Sequence, residues 1–237
     1  MRRYDYLVYG DVDTRAYKIG IWGNQLAKAP ERDQEFVKIP GRDGDLILDN
    51  GRYNNITVSY KAYIVEDYNN NMRDLRNALM SKKGYMRLQD TINPEEYRMA
   101  KAIPFNIEEY GVLRAAEFTM QFVCKPQRFL VDGDNAIEVT AATSLLNQYE
   151  ETAKPLIRAY GTGSFSIGGV AVQITSASDY TDIDCELQEA YKDTLATNCN
   201  GNIVLTDGTF PVLKHGENAI TLSGITKLEI TPRWWIL

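Results

Sequence analysis

Histidine and cysteine are scarce in this sequence of 237 residues. With a single histidine, His215, the chain has no histidine cluster for a metal ion and at most one histidine for acid–base chemistry. The three cysteines, Cys124, Cys185 and Cys199, include no C-x-x-C pair and cannot all be paired within the chain. This favours reduced thiols in a protein that matures in a cytoplasm. We therefore expect no catalytic, metal or cofactor site.

Long apolar runs are absent as well. None approaches the roughly 20 residues that a transmembrane helix needs, and the opening MRRYDYLVYGDVDTR lacks the apolar centre of a signal peptide. Neither membrane insertion nor secretion is expected. The net charge of −6 and the pI near 5.0 also argue against a protein that binds a nucleic acid through its phosphates.

What the sequence does contain is typical of a sheet protein with two domains. It has 15 tyrosines and many β-branched residues, and it is long enough to bury a core without disulfide or metal staples. Up to Asp132 the net charge is +1, whereas from Gly133 onward it is −7. The change falls in the turn-rich stretch VDGDN. It predicts an N-terminal domain over 1–132 and a C-terminal domain over 133–237.

In the first domain the hydrophobic period predicts strands and a single helix. Alternating residues predict a long strand over 55–65. One side of a helix, predicted over about 70–83, collects Met72, Leu75, Ala78 and Leu79. We expect Asn69–Asn71 to cap its start and Lys82-Lys83-Gly84 to end it. A β-hairpin is predicted over about 85–107.

The second domain is predicted to consist of strands alone. Short strands separated by glycine turns such as Gly168-Gly169 predict an antiparallel β-sandwich. Asp182 and Asp184 alternate with Ile183, which predicts two solvated carboxylates on one outward face rather than a Ca²⁺ site. His215 lies in turn-forming sequence without a nucleophile beside it, so we expect it to be exposed and not catalytic.

Two groups of residues are candidates for contacts with other molecules. The stretch Pro40-Gly41-Arg42-Asp43-Gly44 predicts either a locally bonded turn or a loop that presents Arg42 and Asp43 to a neighbouring subunit. Candidate contacts for a partner or a carbohydrate are the aromatic residues Tyr160, Tyr180, Trp234 and Trp235. Because the two tryptophans are neighbours on a predicted strand, one should point inward and the other outward.

The order of several segments resembles a known family. RDQEFVKIPGRDG at 32–44 and NGRY at 50–53 resemble the N-terminal signature of the distal tail proteins of phages with long, flexible, non-contractile tails. The similarity continues through FVCKPQRF at 122–129, AKPLIRAYGTG at 153–163, FPVLKHGENAI at 210–220 and PRW at 232–234. Order and spacing agree along nearly the whole chain.

The resemblance implies a mainly β architecture. An N-terminal β-sandwich with one α-helix and a β-hairpin would be followed by a C-terminal galectin-like antiparallel β-sandwich. It also implies a homohexameric ring at the tail tip, which joins the tail tube protein to the baseplate hub or tail-associated protein and to receptor-binding proteins. DNA would cross the lumen without specific binding, so we expect excess carboxylate on the inner wall. The protein would be found in the virion after assembly in the host cytoplasm.

Three other functions stay open from the residues alone. A carbohydrate-binding module for host-surface recognition would use the exposed aromatic side chains of the second domain. A tail-tube protein would share the ring-forming design but stack into long polymers. An enzyme such as a wall hydrolase is the third alternative, and the sequence offers it no convincing acid–base constellation.

Overall fold

Antiparallel strands dominate the computed structural model, which describes residues 4–24, 29–64, 67–105, 107–110, 115–177 and 179–237. As predicted, the protein is mainly β, and the described residues contain one α-helix, α1 (Tyr68–Ser81). The chain divides into two compact units, of which the first runs to Arg128 and includes Leu237, while the second is Phe129–Ile236. Each unit has a hydrophobic core of its own.

The first unit is built on a sheet that closes on itself. The strands of this unit are β1 (Leu7–Tyr9), β2 (Val12–Asp13), β3 (Ile19–Asn24), β4 (Arg32–Val37), β5 (Leu46–Tyr53), β6 (Ile56–Ile64), β7 (Met86–Asp90), β8 (Glu96–Ile103), β9 (Ile107–Tyr110) and β10 (Ala115–Cys124). The hydrogen-bonded order is β2-β1-β7-β8-β10-β6-β3, and β9 pairs with β10. The Ile21 amide in β3 donates to the carbonyl of Asp5, just before β1, at 2.8 Å. The chain that enters β1 therefore also pairs with β3, and the layers of the predicted sandwich join into a barrel.

Helix α1 packs on this barrel through the side that the sequence predicts. Met72, Leu75 and Leu79 are buried in the core of the first unit. The expected asparagine cap is wrong, because α1 begins at Tyr68 and the cap position is Asp67, whose φ of 42° is left-handed. The run Asn69–Asn71 lies inside the first turn, and the Asn70 amide donates back to the Asp67 carboxylate at 3.1 Å. The helix ends before Lys82, as expected.

Strands β7 and β8 form a hairpin in which Met86 pairs with Ala100. The loop between the strands is held by Asp90, whose Oδ1 accepts hydrogen bonds from the amides of Ile92 and Asn93 at 2.9 and 2.8 Å. Tyr60 donates to the other carboxylate oxygen of Asp90 at 2.7 Å and thereby ties the hairpin to β6. Residue 106, near the end of the predicted hairpin, lies outside the described residues.

The second unit is a sandwich of two antiparallel sheets. Strand β11 (Arg128–Leu130) leads into it, and the remaining strands are β12 (Ile137–Val139), β13 (Thr143–Asn147), β14 (Leu156–Tyr160), β15 (Gly163–Ile167), β16 (Val170–Ile174), β17 (Tyr180–Asp184), β18 (Glu189–Lys192), β19 (Thr194–Asn198), β20 (Ile203–Leu205), β21 (Gly216–Ser223), β22 (Lys227–Thr231) and β23 (Trp235–Ile236). One sheet has the order β12-β22-β14-β17-β18-β19, and the other has the order β13-β21-β15-β16-β20. Apolar side chains such as Ile157, Phe165 and Leu228 fill the space between them.

The two aspartates of β17 are not solvated, so that prediction is wrong. Asp182 and Asp184 are almost completely buried, because β17 lies inside its sheet and arginines cover both carboxylates. Arg158, directly opposite on β14, donates to Asp182 through Nε at 2.7 Å and Nη2 at 3.0 Å. Arg233 donates two 2.8 Å hydrogen bonds to Asp184. Such double hydrogen bonds let a carboxylate be buried without losing its charge.

Candidate assembly surfaces

The segment Arg32–Tyr53, which we call the arm, forms a two-stranded sheet of its own from β4 and β5. It contributes no residue to the core of the first unit. Across the two strands, Phe36 pairs with Ile47 on one face, while Leu46 and Leu48 lie on the other. Their exposed fractions are 60% for Phe36, 53% for Ile47, 37% for Leu46 and 46% for Leu48. Both faces of the arm are therefore apolar and exposed.

The tip of the arm is a well-formed turn. The Arg42 amide donates to the carbonyl of Ile39 at 3.2 Å, and Gly41 has a φ of 78°. Proline at the second position and a left-handed glycine at the third are typical of a type II turn. The side chains of Arg42 and Asp43 are exposed and make no hydrogen bond or ion pair within the part of the chain that the structure describes. The local turn is thus present, and both charges remain available to another molecule.

The base of the arm is fixed by polar contacts. Asp49 accepts hydrogen bonds from the Gln34 amide at 3.0 Å and from the Gly51 backbone at 2.7 Å. These hydrogen bonds lower the pKa of Asp49. Across the ribbon, Arg52 pairs with Asp33 at 2.6 Å. The arm is therefore anchored by polar groups at its base, whereas its outer half carries the apolar side chains.

A second exposed surface lies on the outside of the barrel, where β3 pairs with β6. Gly20 is opposite Tyr63, and a Cβ at position 20 would come within 2.5 Å of the Tyr63 ring. The missing side chain gives that ring room to lie against β3. Trp22 is 49% exposed and stacks on Tyr63 with the ring centroids 4.9 Å apart, while Tyr4 meets Tyr63 edge-on at 6.5 Å. We call Tyr4, Trp22 and Tyr63 the aromatic platform.

A groove of about 470 Å³ opens beside Trp22. Its walls include Pro104 and Phe105 as well as two residues of opposite charge, Lys61 and Glu117. Lys61 pairs with Trp22 across β3 and β6, and Glu117 pairs with Tyr63 across β6 and β10. The aromatic platform therefore continues into a surface that carries one charge of each sign.

In the second unit, Tyr160 and Tyr180 lie directly opposite each other on β14 and β17, with ring centroids 5.5 Å apart. Cations cover both rings. Arg158 and Lys192 lie 4.2 and 5.0 Å from the centroid of Tyr180, and Lys227 lies 4.3 Å from that of Tyr160. The pair is surrounded by polar groups, as a carbohydrate site requires, but cations occupy ring faces on which a sugar would stack.

The two C-terminal tryptophans differ in exposure. Trp234 is 8% exposed, belongs to the core of the second unit and packs against Tyr149 at 6.2 Å. It is the inward member of the predicted pair, and little of its ring is exposed to another molecule. Trp235 is half-buried, and its indole nitrogen donates to the carbonyl of Thr152 at 3.0 Å.

His215 is exposed, as predicted, and its Nδ1 donates to the Tyr149 carbonyl at 3.0 Å. Within the described ranges no group of three or more histidine, cysteine, aspartate or glutamate residues is placed to hold a metal ion. Nor does the described part of the chain contain a helix long and apolar enough to cross a membrane.

Sequence reasoning missed the aromatic platform, and it named the arm only at its tip. The run Leu46-Ile47-Leu48 in a hairpin was a signal for the arm, since such a ribbon cannot bury both faces by itself. The platform had no comparable signal. Its three aromatic residues are far apart in sequence, and they come together through the pairing of β3 with β6 and with the chain just before β1.

Comparison with known families finds a match in the first unit. Residues 16–124 match the family model described as a phage tail protein RIFT-related domain. Comparison with curated proteins finds no match.

The solved structures identify the fold more closely. The SPP1 Dit (gp 19.1) protein, described as a paradigm of the hub adsorption apparatus in phages that infect Gram-positive bacteria, matches with a TM-score of 0.73 and 13% identity. The match covers 96% of this chain and 98% of that one. Chains of the phage P2 baseplate in its activated conformation, with Ca and with Sr, match with a TM-score of 0.54 and 11% identity over 97% of each chain. The resemblance to phage distal tail proteins that the sequence shows is thereby confirmed.

Proposed function

We propose that this protein is a non-enzymatic structural component of the tail tip of a phage or prophage. In this role it forms a homohexameric ring that connects the tail tube to the baseplate hub or tail-associated protein and to receptor-binding proteins, while DNA passes through the lumen. The observation that carries the proposal is the fold, which matches SPP1 Dit along nearly all of both chains.

The first unit offers the surfaces that such a ring needs. A closed ring of identical subunits uses two different patches on each subunit, so that every contact joins one patch to the other. The arm and the aromatic platform are two exposed patches on this unit. The free charges of Arg42 and Asp43 at the tip of the arm support the role in the subunit interface that the sequence predicts for them.

The second unit is the region proposed to hold peripheral proteins. Its acidity would leave the ring with most of its negative charge in this region, since the net charge from Gly133 onward is −7. For the lumen, we expect excess carboxylate on the inner wall, because cations there would bind the passing DNA. An assembled ring with a lysine-lined channel would contradict this part of the proposal.

Size-exclusion chromatography with light scattering on the purified full chain, followed by electron microscopy of stained particles, tests the proposal. We expect discrete hexamers or head-to-head pairs of hexamers. Open-ended tubes would identify a tail-tube protein instead. A chain that stays monomeric at all concentrations would contradict the ring. Gold-labelled antibodies should bind at the tail tip of the virion.

Carbohydrate binding by the second unit, predicted to be galectin-like, is the second candidate. The Tyr160–Tyr180 pair with its surrounding polar groups favours it. Binding of the full chain to host cell-wall polysaccharide would support this role if Tyr180→Ala abolished it and Leu195→Ala, at an exposed site on β19, did not. An absence of binding would remove the candidate.

A further inference from the structure

The arm and the aromatic platform suit each other as the two sides of one contact. We propose that the arm of one copy lies across the platform of the next copy, with Phe36 and Ile47 against Trp22 and Tyr63. This contact specifies the subunit interface of the ring and therefore rests on the function proposed above.

The arm needs a cover that its own unit does not supply. Phe36 and Ile47 sit opposite each other on one face and are more than half exposed. A two-stranded ribbon gains stability in water only when a face packs on something else. Contiguous exposed apolar surface of this kind marks a site of interaction with another protein. The exposed apolar face of the arm is therefore suited to form one side of an interface.

The platform has the features of the receiving side. Trp22 and Tyr63 are large, flat and already held in place by their mutual stacking at 4.9 Å. Gly20 allows this arrangement, because any side chain at that position would meet the Tyr63 ring. Partly exposed tryptophan and tyrosine in a fixed position are the side chains that contribute most to the binding energy of interfaces.

The number of surfaces on each copy favours a second copy of this protein as the partner that covers the aromatic platform. Each copy carries one arm and one platform, both on the first unit, so a contact between them leaves neither surface uncovered once the ring closes. A symmetric arm-to-arm contact would leave every platform exposed. The charges agree with this choice, since the tip offers Arg42 and Asp43 while the groove beside Trp22 offers Lys61 and Glu117. The tip of the arm and the groove would then each face one positive and one negative side chain of the other copy.

A mixing experiment with two full-length variants tests the contact. The arm variant combines Phe36→Ser with Ile47→Thr, in which threonine keeps a high strand propensity. The platform variant is Trp22→Ala. Leu195→Ser serves as the control, because Leu195 is 55% exposed on the second unit and lies outside the proposed contact. Circular dichroism and the thermal unfolding midpoint should show that every variant is folded like the wild type.

Neither variant alone should assemble, whereas Leu195→Ser should assemble like the wild type. Loss of a central aromatic anchor should weaken the contact by about 30-fold or more. When the two variants are mixed, the intact arm of the platform variant can bind the intact platform of the arm variant. Light scattering should then show a 1:1 dimer that grows no further, since its remaining arm and platform are both defective.

The other outcomes overturn specific statements. If Trp22→Ala assembles normally while the arm variant does not, the arm docks elsewhere and the inference is wrong. If both variants fail alone and no dimer forms on mixing, the two patches do not meet each other, and the inference is also wrong. In both cases the wild-type ring, and with it the proposed function, would stand. A wild type that never assembles would overturn the proposed function as well.

Discussion

The two units of this protein differ in how they place charged side chains and clusters of apolar side chains. The first unit leaves large apolar side chains exposed on the arm and a tryptophan on the barrel wall. The second unit also exposes apolar side chains, such as Leu195, but it differs in burying two carboxylates against arginines inside its larger sheet. An exposed apolar surface costs solubility and is useful only if a partner covers it. A buried ion pair needs no partner outside the unit, whereas the clustered apolar side chains of the arm are left uncovered by their own unit.

The largest effect should separate the two kinds of phenylalanine in the first unit. Phe122 is fully buried and lies 5.3 Å from Tyr9, ring centroid to centroid, whereas Phe36 is 60% exposed on the arm. Phe122→Ala should lower the free energy of unfolding by about 4 kcal/mol, because it leaves a cavity in the core. Phe36→Ala should change it by less than about 0.5 kcal/mol and weaken self-association instead.

Urea unfolding of the full chain, together with light scattering, measures both effects. The comparison between core and arm would fail if Phe36→Ala destabilised the first unit as much as Phe122→Ala. It would fail equally if Phe36→Ala left assembly unchanged.

In the second unit the corresponding test is the removal of a buried carboxylate. Asp184→Ala should cost about 3 kcal/mol, since it leaves the Arg233 guanidinium without its partner in a mostly buried position. Arg233 also has a left-handed φ of 57°, and the ion pair helps to hold it there. Asp179→Ala is the matched control, because the Asp179 side chain is 75% exposed in its pair with Lys192 and should contribute less than about 1 kcal/mol. Equal costs for the two variants, in the same urea titration, would show that burial adds nothing.

Acid should weaken the second unit through the same carboxylate. Burial raises the pKa of Asp184, but the hydrogen bonds from Arg233 and from the Leu187 and Glu186 amides outweigh it, so the pKa lies below the ordinary 3.8. The stabilisation is therefore complete above pH 3.8 and is lost as the pH falls through the lowered value. Asp184→Asn should remove this part of the acid dependence. A variant with the same fall in urea midpoint as the wild type would assign the acid sensitivity to other groups.

These buried aspartates also show where sequence reasoning stops. Alternation correctly places Asp182 and Asp184 on the same face of β17, yet it carries no information about what covers that face. Arg158 lies on β14, which pairs with β17 only in the folded chain, and Arg233 comes from the segment after β22.

Local patterns predict local features more successfully. The buried side of α1, the turn at 40–44 and the exposure of His215 follow from neighbouring residues and could be predicted. The aromatic platform could not, because it depends on the cross-strand register that brings Gly20 opposite Tyr63. The arm was only partly predictable, since its sequence indicates a hairpin but not that both faces stay exposed.

A smaller effect on stability is expected from Gly20→Ala, which perturbs the aromatic platform but not the core beneath it. The new methyl group must push the far end of the Tyr63 ring away from β3 and disturb its stacking with Trp22. Because that end of the side chain can move, the unfolding free energy should fall by only about 1 kcal/mol. Self-association should weaken much more than stability, as light scattering would show. A variant that assembles fully would indicate that the contact does not use Tyr63 in its present position.

The smallest expected effect is on the rate at which the cysteines are labelled, which reports how often each unit opens. Burial raises the pKa of Cys124 in the first unit and of Cys185 in the second to about 12, whereas Cys199 is only half-buried. A thiol reagent at mildly alkaline pH should therefore label Cys199 quickly and the other two only when their unit opens. Phe122→Ala should accelerate the labelling of Cys124, and Asp184→Ala that of Cys185, in a Cys199→Ser background read by mass spectrometry. Equal acceleration of both thiols by either variant would contradict the separate roles assigned to the two substitutions.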